Sequence, residues 1–472
     1  MSALRKQRGF VIFAVMAIVA LLVAVLAAWY LINIPDRPLD PGITDALQRD
    51  HDSVPPQDNL FFALLAFDST NAEDLSRQGQ AIYAAYLARR AADPNSRVTF
   101  DNAMAVARQA FVGNPGGLCG ARGKPEDCVE RAVTHPEGLR KLITDNRLFV
   151  EHYDGVAAFR RLQNPVQITV NSQLAPWWLF MLGKRLFLTD IVLQVGAGHV
   201  DQTVARLGSD IAFTRRLLAQ PDLLLIDKMI LAASLIDSLE VVSDLVRTQP
   251  LSDSQYAQLS TALAPLTDDE RSLAGPLTRD FDGFAALIRD LKNPKKARGP
   301  VSSSPSEGSV VAGDLPLHFI KYNPTLNAQW RVLTDKIALS RGSCTNFLSG
   351  AAAFKSHRAA TLGGIFYNPI GNMLSGIEAP TGIEYMQSMC DLDGIIRIVE
   401  LELQARQQHV NDEQLAQFAL NGGTRYANPF TGQPMHVDGA RKTIDFQPLA
   451  LRDRVFLPWP LAAAPSGVPA PP

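Results

Sequence analysis

The sequence lacks the surplus of positive charge on which nucleic-acid binding depends. It contains 45 Lys and Arg residues against 47 Asp and Glu residues, a formal net charge of −2. Three of the basic residues, Arg5, Lys6 and Arg8, precede the first apolar run, so the rest of the chain is more acidic still. Proteins that bind nucleic acids neutralise phosphates with dense Lys and Arg. We therefore exclude nucleic acid as a partner.

Histidines at metal-binding spacing are also missing from the sequence. No two of them are three or four positions apart, which excludes a local zinc helix of the H-E-x-x-H type. A site assembled from distant parts of the chain is not excluded. We predict no metal-ligating and no cofactor-binding residue. The histidines are His51, His135, His152, His199, His318, His357, His409 and His436.

Motifs for nucleotide binding and for serine hydrolysis fail at their defining positions. A Gly-Lys pair occupies 123–124, but Leu118 replaces the first glycine of a phosphate-binding loop and Pro125 replaces its Ser or Thr. Ser349 and Ser375 each precede a glycine but lack the first glycine of G-x-S-x-G. We predict no catalytic residue. The sequence favours a non-enzymatic role without deciding the matter.

The cysteines are few, and their even number fits an exported domain with two disulfides. Cys119 and Cys128 lie in a Gly- and Pro-rich stretch, where a bridge would fix a loop of little intrinsic order and contribute under about 3 kcal/mol. We predict this pair by locality, and Cys344 with Cys390 by default. Neither pair has the close spacing of a zinc site. The alternative is four free, buried thiols that pack as small hydrophobes.

Acidic residues are scattered along the middle of the chain and alternate with arginines or precede helices. Solvated helix faces and helix caps explain this pattern better than a paired-carboxylate active site. The residues concerned are Asp190, Asp201, Asp210, Asp237, Glu240 and Asp244.

One long apolar run is present, and it lies at the N-terminus. The stretch 10–34 contains no charged residue. At about 1.5 Å per residue it can cross a hydrocarbon core of roughly 30 Å. Trp29 and Tyr30 lie near its far end, as aromatic residues do at membrane interfaces, and Pro35 ends the helix. No later stretch qualifies, since Leu223–Leu235, the nearest, contains Asp227 and Lys228.

The alternative for this run is a cleaved signal peptide. The basic residues before it resemble a signal n-region, and the small residues at 24–28 offer a cleavage site. An apolar signal region is typically about 7–15 residues long, which this run exceeds, so a retained anchor is favoured. Three basic residues precede the run and only Arg37 directly follows it, which predicts a cytoplasmic N-terminus.

The rest of the sequence divides by composition. A Pro-rich stretch at 35–58 predicts a stiff, extended stalk. A helical domain follows, and a Ser-, Pro- and Gly-rich segment separates it from a C-terminal helical region. An Asp-Gly turn between short alternating runs predicts a β-hairpin at 435–446. The predicted divisions are a basic tail 1–9, membrane helix 10–34, stalk 35–58, helical domain 59–292, linker 293–314, C-terminal region 315–460 and disordered tail 461–472.

Helical periodicity dominates, so the fold class is mainly α. Apolar residues from Val200 to Leu218 recur at intervals of three or four, and 223–246 is apolar on most of its circumference, as in a central helix. Thr70–Glu73, Ser252–Gln255 and Thr267–Glu270 have the form of capping boxes, the first of them opening a helix to about Arg90. Successive helices with short turns predict a helix bundle or an α-solenoid-like domain. No tetratricopeptide signature recurs.

An apolar, aromatic segment marks a candidate interface with a partner or with the membrane surface. Trp177, Trp178, Phe180 and Met181 lie together, and Lys184 and Arg185 follow on the same helix. Core packing is the alternative, and it is the commoner role of such a segment.

Three short Asn-Pro segments in the C-terminal third resemble recurring segments of uncharacterised, membrane-anchored helical proteins of Gram-negative bacteria. They are 322–327, 368–371 and 428–434. Asn-Pro starts a turn and Gly completes it. The resemblance implies a protein of the bacterial inner membrane, and it implies no activity and no catalytic residue.

These observations predict an inner-membrane-anchored protein whose periplasmic helical domain binds or helps to assemble another envelope component. An envelope hydrolase with a non-local active site, including His318 or His357, is the first alternative. A lipid- or small-molecule-binding domain is the second. A continuous exposed apolar groove would favour the binding role, and a deep pocket joining His and carboxylate would favour the hydrolase.

Overall fold

The computed structural model describes most of the chain and is mainly helical. The described residues are 2–48, 54–70, 74–93, 98–120, 128–165, 173–292, 320–356, 367–377, 381–438, 443–446 and 457–458. The helices are α1 (Ser2–Ile32), α2 (Pro41–Leu47), α3 (Leu60–Leu65), α4 (Leu75–Ala92), α5 (Phe100–Ala103), α6 (Cys128–Thr134), α7 (Pro136–Asp145), α8 (Arg147–Val156), α9 (Trp177–Gly196), α10 (Val200–Leu218), α11 (Leu225–Thr248), α12 (Asp253–Ala262), α13 (Asp268–Arg271), α14 (Ala274–Lys292), α15 (Tyr322–Arg341), α16 (Cys344–Ser356), α17 (Pro369–Ile377), α18 (Thr381–Gln407) and α19 (Asp412–Asn421).

Three short strands follow the helices. β1 (His436–Asp438) pairs antiparallel with β2 (Thr443–Asp445), and β3 (Leu457–Pro458) pairs antiparallel with the other edge of β2. The predicted mainly helical chain with an apolar N-terminal helix and a small C-terminal antiparallel pair is confirmed. A bundle or solenoid arrangement stays a prediction. The predicted linker 293–314 and the predicted tail 461–472 lie outside the described residues, as does Gly439 of the expected turn.

The chain forms two compact units that interleave along the sequence. Unit 1 contains Met1–Asp50, Phe281–Asp335 and Ala352–Pro380. Unit 2 contains His51–Asp280, Lys336–Ala351 and Thr381–Pro472.

The core of unit 2 begins with a wholly buried run. Every residue from Leu60 to Phe67 is buried, as the apolar composition of this run requires. Asn59 starts α3, because its side-chain oxygen accepts the N–H of Phe61 at 3.1 Å, and its amide donates to the carbonyl of Gln163 at 2.8 Å. α4 packs against α3 so closely that a Cβ on Gly79 would lie 1.7 Å from the carbonyl oxygen of Phe62.

The longer helices of unit 2 surround α11. α9 and α10 pack on α11, and α18 packs on it from the C-terminal part of the chain. The capping boxes predicted at Ser252 and Thr267 are present, at the starts of α12 and α13. The one predicted at Thr70 is wrong, because α4 begins after Asp74, whose side chain accepts the N–H of Arg77 at 3.1 Å. Gly394 within α18 makes room for a ring, since a Cβ there would lie 2.3 Å from Phe446, the residue that follows β2.

Both predicted cysteine pairs are at bonding distance. Cys119–Cys128 closes a separation of 9 residues, and Cys344–Cys390 joins α16 to α18 across a separation of 46. The loop of the first bridge is seated on two helices. The N–H of Cys119 donates to Thr189 Oγ1 of α9 at 3.0 Å, and Gly120, with φ of +72°, lies directly against Asp237 of α11.

Unit 1 contains the apolar helix. Within α1, Phe13–Ile32 has a mean hydropathy of 2.8 and none of it is buried. The predicted extended conformation of the stalk is wrong for residues 41–47, which form α2. Pro41 is compatible with the first helical turn, and the Asp40 side chain caps the N–H of Gly42 at 2.9 Å.

Candidate functional site

A cleft opens on unit 2 between α8, α9 and α10. Its volume is about 200 Å³. One wall is a single face of α10, on which exposed residues recur at intervals of three or four. The residues that line the cleft are Tyr153, Asp154, Ala157, Phe187, Gln202, Ala205, Arg206, Ser209 and Asp210.

The floor of the cleft covers a buried ion pair. Lys184 of α9 and Asp210 of α10 contact each other directly, and the Lys184 side chain is fully enclosed. Ser238 Oγ of α11 lies 2.6 Å from Lys184 Nζ and donates to Asp210 at 2.8 Å. The Tyr153 hydroxyl donates to the other carboxylate oxygen at 2.9 Å. The Asp210 carboxylate therefore accepts from Lys184, Ser238 and Tyr153 together.

Burial governs the ionisation of these groups. It lowers the pKa of Lys184, while the adjacent Asp210 carboxylate favours the charged ammonium and opposes the shift. Burial also raises the pKa of Tyr153 well above its ordinary value, and the neighbouring Asp210 charge adds to the effect. Tyr153 is thus held as a neutral hydrogen-bond donor to the carboxylate.

Arg206 forms the charged rim of the cleft. Its guanidinium lies 2.8 Å from the Asp190 carboxylate and 3.1 Å from that of Asp154. It also lies 4.8 Å from the centroid of the Phe187 ring. Two carboxylates and an aromatic face fix this side chain in one place, so the rim is preorganised.

A second buried layer supports the floor from α11. Arg185 pairs with Asp237 at 3.1 Å, and the Asp237 side chain is buried. Asp244, also buried, accepts the N–H of Val129 at 2.6 Å and the guanidinium of Arg247 at 3.0 Å. The bridged loop and the helix that follows it are therefore connected to α11 by carboxylates.

The interpretation of the acidic residues as solvated faces and caps is wrong for three of them. Asp210, Asp237 and Asp244 are buried and paired with cations. Asp201 is exposed, as expected, and Asp190 and Glu240 are half-buried. Periodicity could not separate the two groups, because the cationic partners of Asp210 and Asp237 lie on another helix.

The four residues of the predicted interface segment occupy different environments. Trp177 and Phe180 are buried, and the Trp177 indole donates to Asp227 of α11 at 2.7 Å. Met181 is half-buried. Trp178 is 65% exposed. Trp178 and Met181, three positions apart, lie on the same side of α9, and the interface role of the segment stays a prediction.

The buried floor contains two elements of a catalytic site, but neither of them is accessible to solvent. A serine hydroxyl within hydrogen-bond reach of a lysine is the geometry of an activated nucleophile. Here Lys184 is already paired with Asp210, and both Lys184 and Ser238 are inaccessible to solvent. In the described part of the chain, no group of three or more His, Cys, Asp or Glu residues is placed to hold a metal ion. His318 and His357 lie outside the described residues.

The chain was also compared with known proteins. Searches against protein-family models, curated proteins and solved structures find no match to this chain at a significant level.

Proposed function

We propose that the protein is a single-pass protein of the bacterial inner membrane, with a cytoplasmic N-terminus and a periplasmic bulk. The uncovered apolar stretch Phe13–Ile32 supports a membrane span, since burying it elsewhere would need a partner surface along its whole length. The basic residues before it and the single Arg37 directly after it support the orientation. Two disulfides fit an oxidising compartment.

We propose that unit 2 has no catalytic role and binds another envelope protein through the cleft. The observation that carries this proposal is the form of the cleft, which is open, small and apolar above an ion-paired floor. Small-molecule pockets typically measure about 300–1,000 Å³, and this cleft of about 200 Å³ is smaller. It suits one large apolar side chain of a partner, the type of contact that dominates protein interfaces.

Photo-crosslinking in cells tests the binding role. A benzophenone amino acid at Ala205, an exposed position in the cleft, should give one discrete adduct with an envelope protein. The matched control is Leu87, which is 46% exposed on α4 and does not line the cleft. Recovery of the chain alone from the Ala205 variant, or the same adducts from both variants, would contradict the proposal.

The hydrolase alternative draws support from the contact between Lys184 and Ser238. It requires Ser238 to become reachable, so a fluorophosphonate probe should then label the native full-length protein at this serine. We expect no labelling, because Ser238 is buried and hydrogen-bonded to Asp210. Labelling that disappears in Ser238→Ala would replace the binding role with a hydrolytic one.

A further inference from the structure

The end of the apolar helix is fixed to unit 1 by one asparagine. Asn33 follows α1 directly and is fully buried. Its amide donates to the carbonyl of Trp29 at 2.9 Å, which extends the helix, and its side-chain oxygen accepts the N–H of Asn368 at 2.8 Å. Asn368 has φ of +54°, a left-handed conformation that asparagine tolerates better than most residues. Asn33 therefore connects the last turn of α1 directly to residue 368.

The chain that follows α1 is held in place by hydrogen bonds. Five backbone groups between Ile34 and Asp40 are hydrogen-bonded by side chains from Lys321, from the start of α15 or from Tyr367. The bonds run from Lys321 to the Ile34 carbonyl at 3.3 Å, from Tyr367 to Pro35 at 3.0 Å, from Asn323 to Arg37 at 2.8 Å, from Asn327 to Pro38 at 2.9 Å, and from the Asp40 N–H to Asn327 at 2.8 Å. The folded part of unit 1 thus begins where α1 ends.

α17 starts at this boundary. It begins one residue after Asn368 and contains no charged residue. Gly371 packs against α15, since a Cβ there would lie 2.0 Å from Thr325 Oγ1. Met373, on the side of the helix away from Gly371, is 54% exposed, and Ile370 and Leu374 are half-buried beside it. An uncharged helix with an outward apolar face therefore lies beside the end of α1.

We propose that α17 lies in the boundary between headgroups and acyl chains of the bilayer that α1 crosses. This inference rests on the proposed membrane span. The occupant of the apolar face is phospholipid, because the residue before α17 is hydrogen-bonded to Asn33, the residue that directly follows α1, so α17 starts at the level where the span ends. At about 1.5 Å per residue, α17 is about 13 Å long, so it is short enough to lie within the interface over its whole length.

A cation and an aromatic ring lie beside the start of α17. Arg37 is exposed, and its guanidinium lies 4.7 Å from the centroid of the Tyr367 ring. A cation and an aromatic ring at this level are the pair that membrane interfaces favour, since the ring is amphipathic and the cation attracts headgroup phosphates.

Depth-dependent quenching tests the inference on the full-length protein. The chain is reconstituted in vesicles of phosphatidylethanolamine and phosphatidylglycerol, and a nitrobenzoxadiazole fluorophore is attached to Met373→Cys. Two reference variants are labelled in the same way: Val23→Cys within α1 and Thr334→Cys, an exposed position on α15 about 18 Å along that helix from Tyr322. The native cysteines are disulfide-bonded and do not react without reductant.

We expect a nitroxide near the headgroup to quench the label at Met373 more than about twofold more strongly than the label at Thr334. A nitroxide deep in the acyl chains should quench the label at Val23. Quenching at Val23 with none at Met373 would overturn the interfacial position and leave the span intact. No quenching at Val23 would overturn the span itself. A blue-shifted but unquenched label at Met373 would mean that protein, and not lipid, covers α17, which also overturns the inference.

Discussion

Replacing Lys184 with methionine tests whether the ion pair beneath the cleft holds unit 2 together. The substitution keeps the length of the side chain and removes its charge. Asp210 would then be buried with only the hydroxyls of Tyr153 and Ser238 as partners. Its negative charge would lack compensation in an environment that excludes water.

The expected loss follows from the burial of both partners. Removing one partner of a buried ion pair destabilises a protein by about 3–5 kcal/mol, because the remaining charge keeps its desolvation penalty. The double variant Lys184→Met/Asp210→Asn removes both charges, so it should lose less than the sum of the single losses, with a coupling of about 1–3 kcal/mol.

Urea unfolding of the detergent-solubilised full-length protein, followed by circular dichroism, measures these losses. Lys141→Met is the matched control, because Lys141 pairs with Asp145 at 2.8 Å on the surface, and its side chain is 77% exposed. Surface pairs contribute little, so the control should unfold like the unchanged protein. If Lys184→Met unfolds like Lys141→Met, or if the losses of the two single variants simply add, the buried pair does not have the role argued for it.

Two further predictions concern the disulfides and pH. Loss of the bridge at Cys344 should destabilise the protein by about 4 kcal/mol, and loss of the bridge at Cys119 by about 2.5 kcal/mol. The first loss is larger because that bridge spans 46 residues and the other only 9. Urea midpoints of the two Cys→Ser variants check this order, and equal losses would contradict it. Burial raises the pKa of Glu402 from 4.5 to about 7, so the folded state keeps a proton that the unfolded state releases. The stability from this proton is complete below about pH 4.5 and is lost as the pH rises through 7. Glu402→Gln should therefore weaken the decline of the urea midpoint between pH 5 and 8, and an unchanged decline would refute the assignment.

The elements that sequence predicted best are those fixed by local chemistry. The apolar helix, the capping boxes at Ser252 and Thr267 and the short bridge in the glycine-rich loop each depend on residues close together in the chain. The apolar circumference of 223–246 correctly indicated a central helix, and α11 is buried on several sides. These features need no knowledge of distant partners.

The floor of the cleft could not be predicted in the same way. Lys184 and Asp210 are 26 positions apart, Asp210 and Ser238 are 28 apart, and Lys184 and Ser238 are 54 apart. Each of them fits the helical pattern as a polar residue, whether its face is buried or exposed. Only the packing of α9, α10 and α11 brings them together. The available signals were polar residues within largely apolar helices, Lys184 in α9 and Ser238 in α11.

The segment after α1 shows the same limit. Its prolines favour an extended chain, and nothing nearby in sequence indicates what fixes it. The contacts come from the start of α15, from Lys321 just before it and from Tyr367. The bond between Asp40 and Asn327 joins residues 287 positions apart. Asn-Pro at 368–369 was interpreted as a turn former, and Asn368 has in addition a side chain that accepts the N–H of Lys321 at 2.7 Å.

Protease treatment of intact spheroplasts tests the proposed membrane placement most directly. The full-length chain carries one epitope at its N-terminus and another after Pro472. The proposed topology predicts that protease removes the C-terminal epitope from intact spheroplasts and leaves a short membrane-bound fragment with the N-terminal epitope. A C-terminal epitope that stays protected until lysis would place the domain in the cytoplasm. An N-terminal epitope missing from the membrane fraction before protease is added would mean that α1 is cleaved as a signal sequence. Either result would contradict a retained anchor with an exported domain.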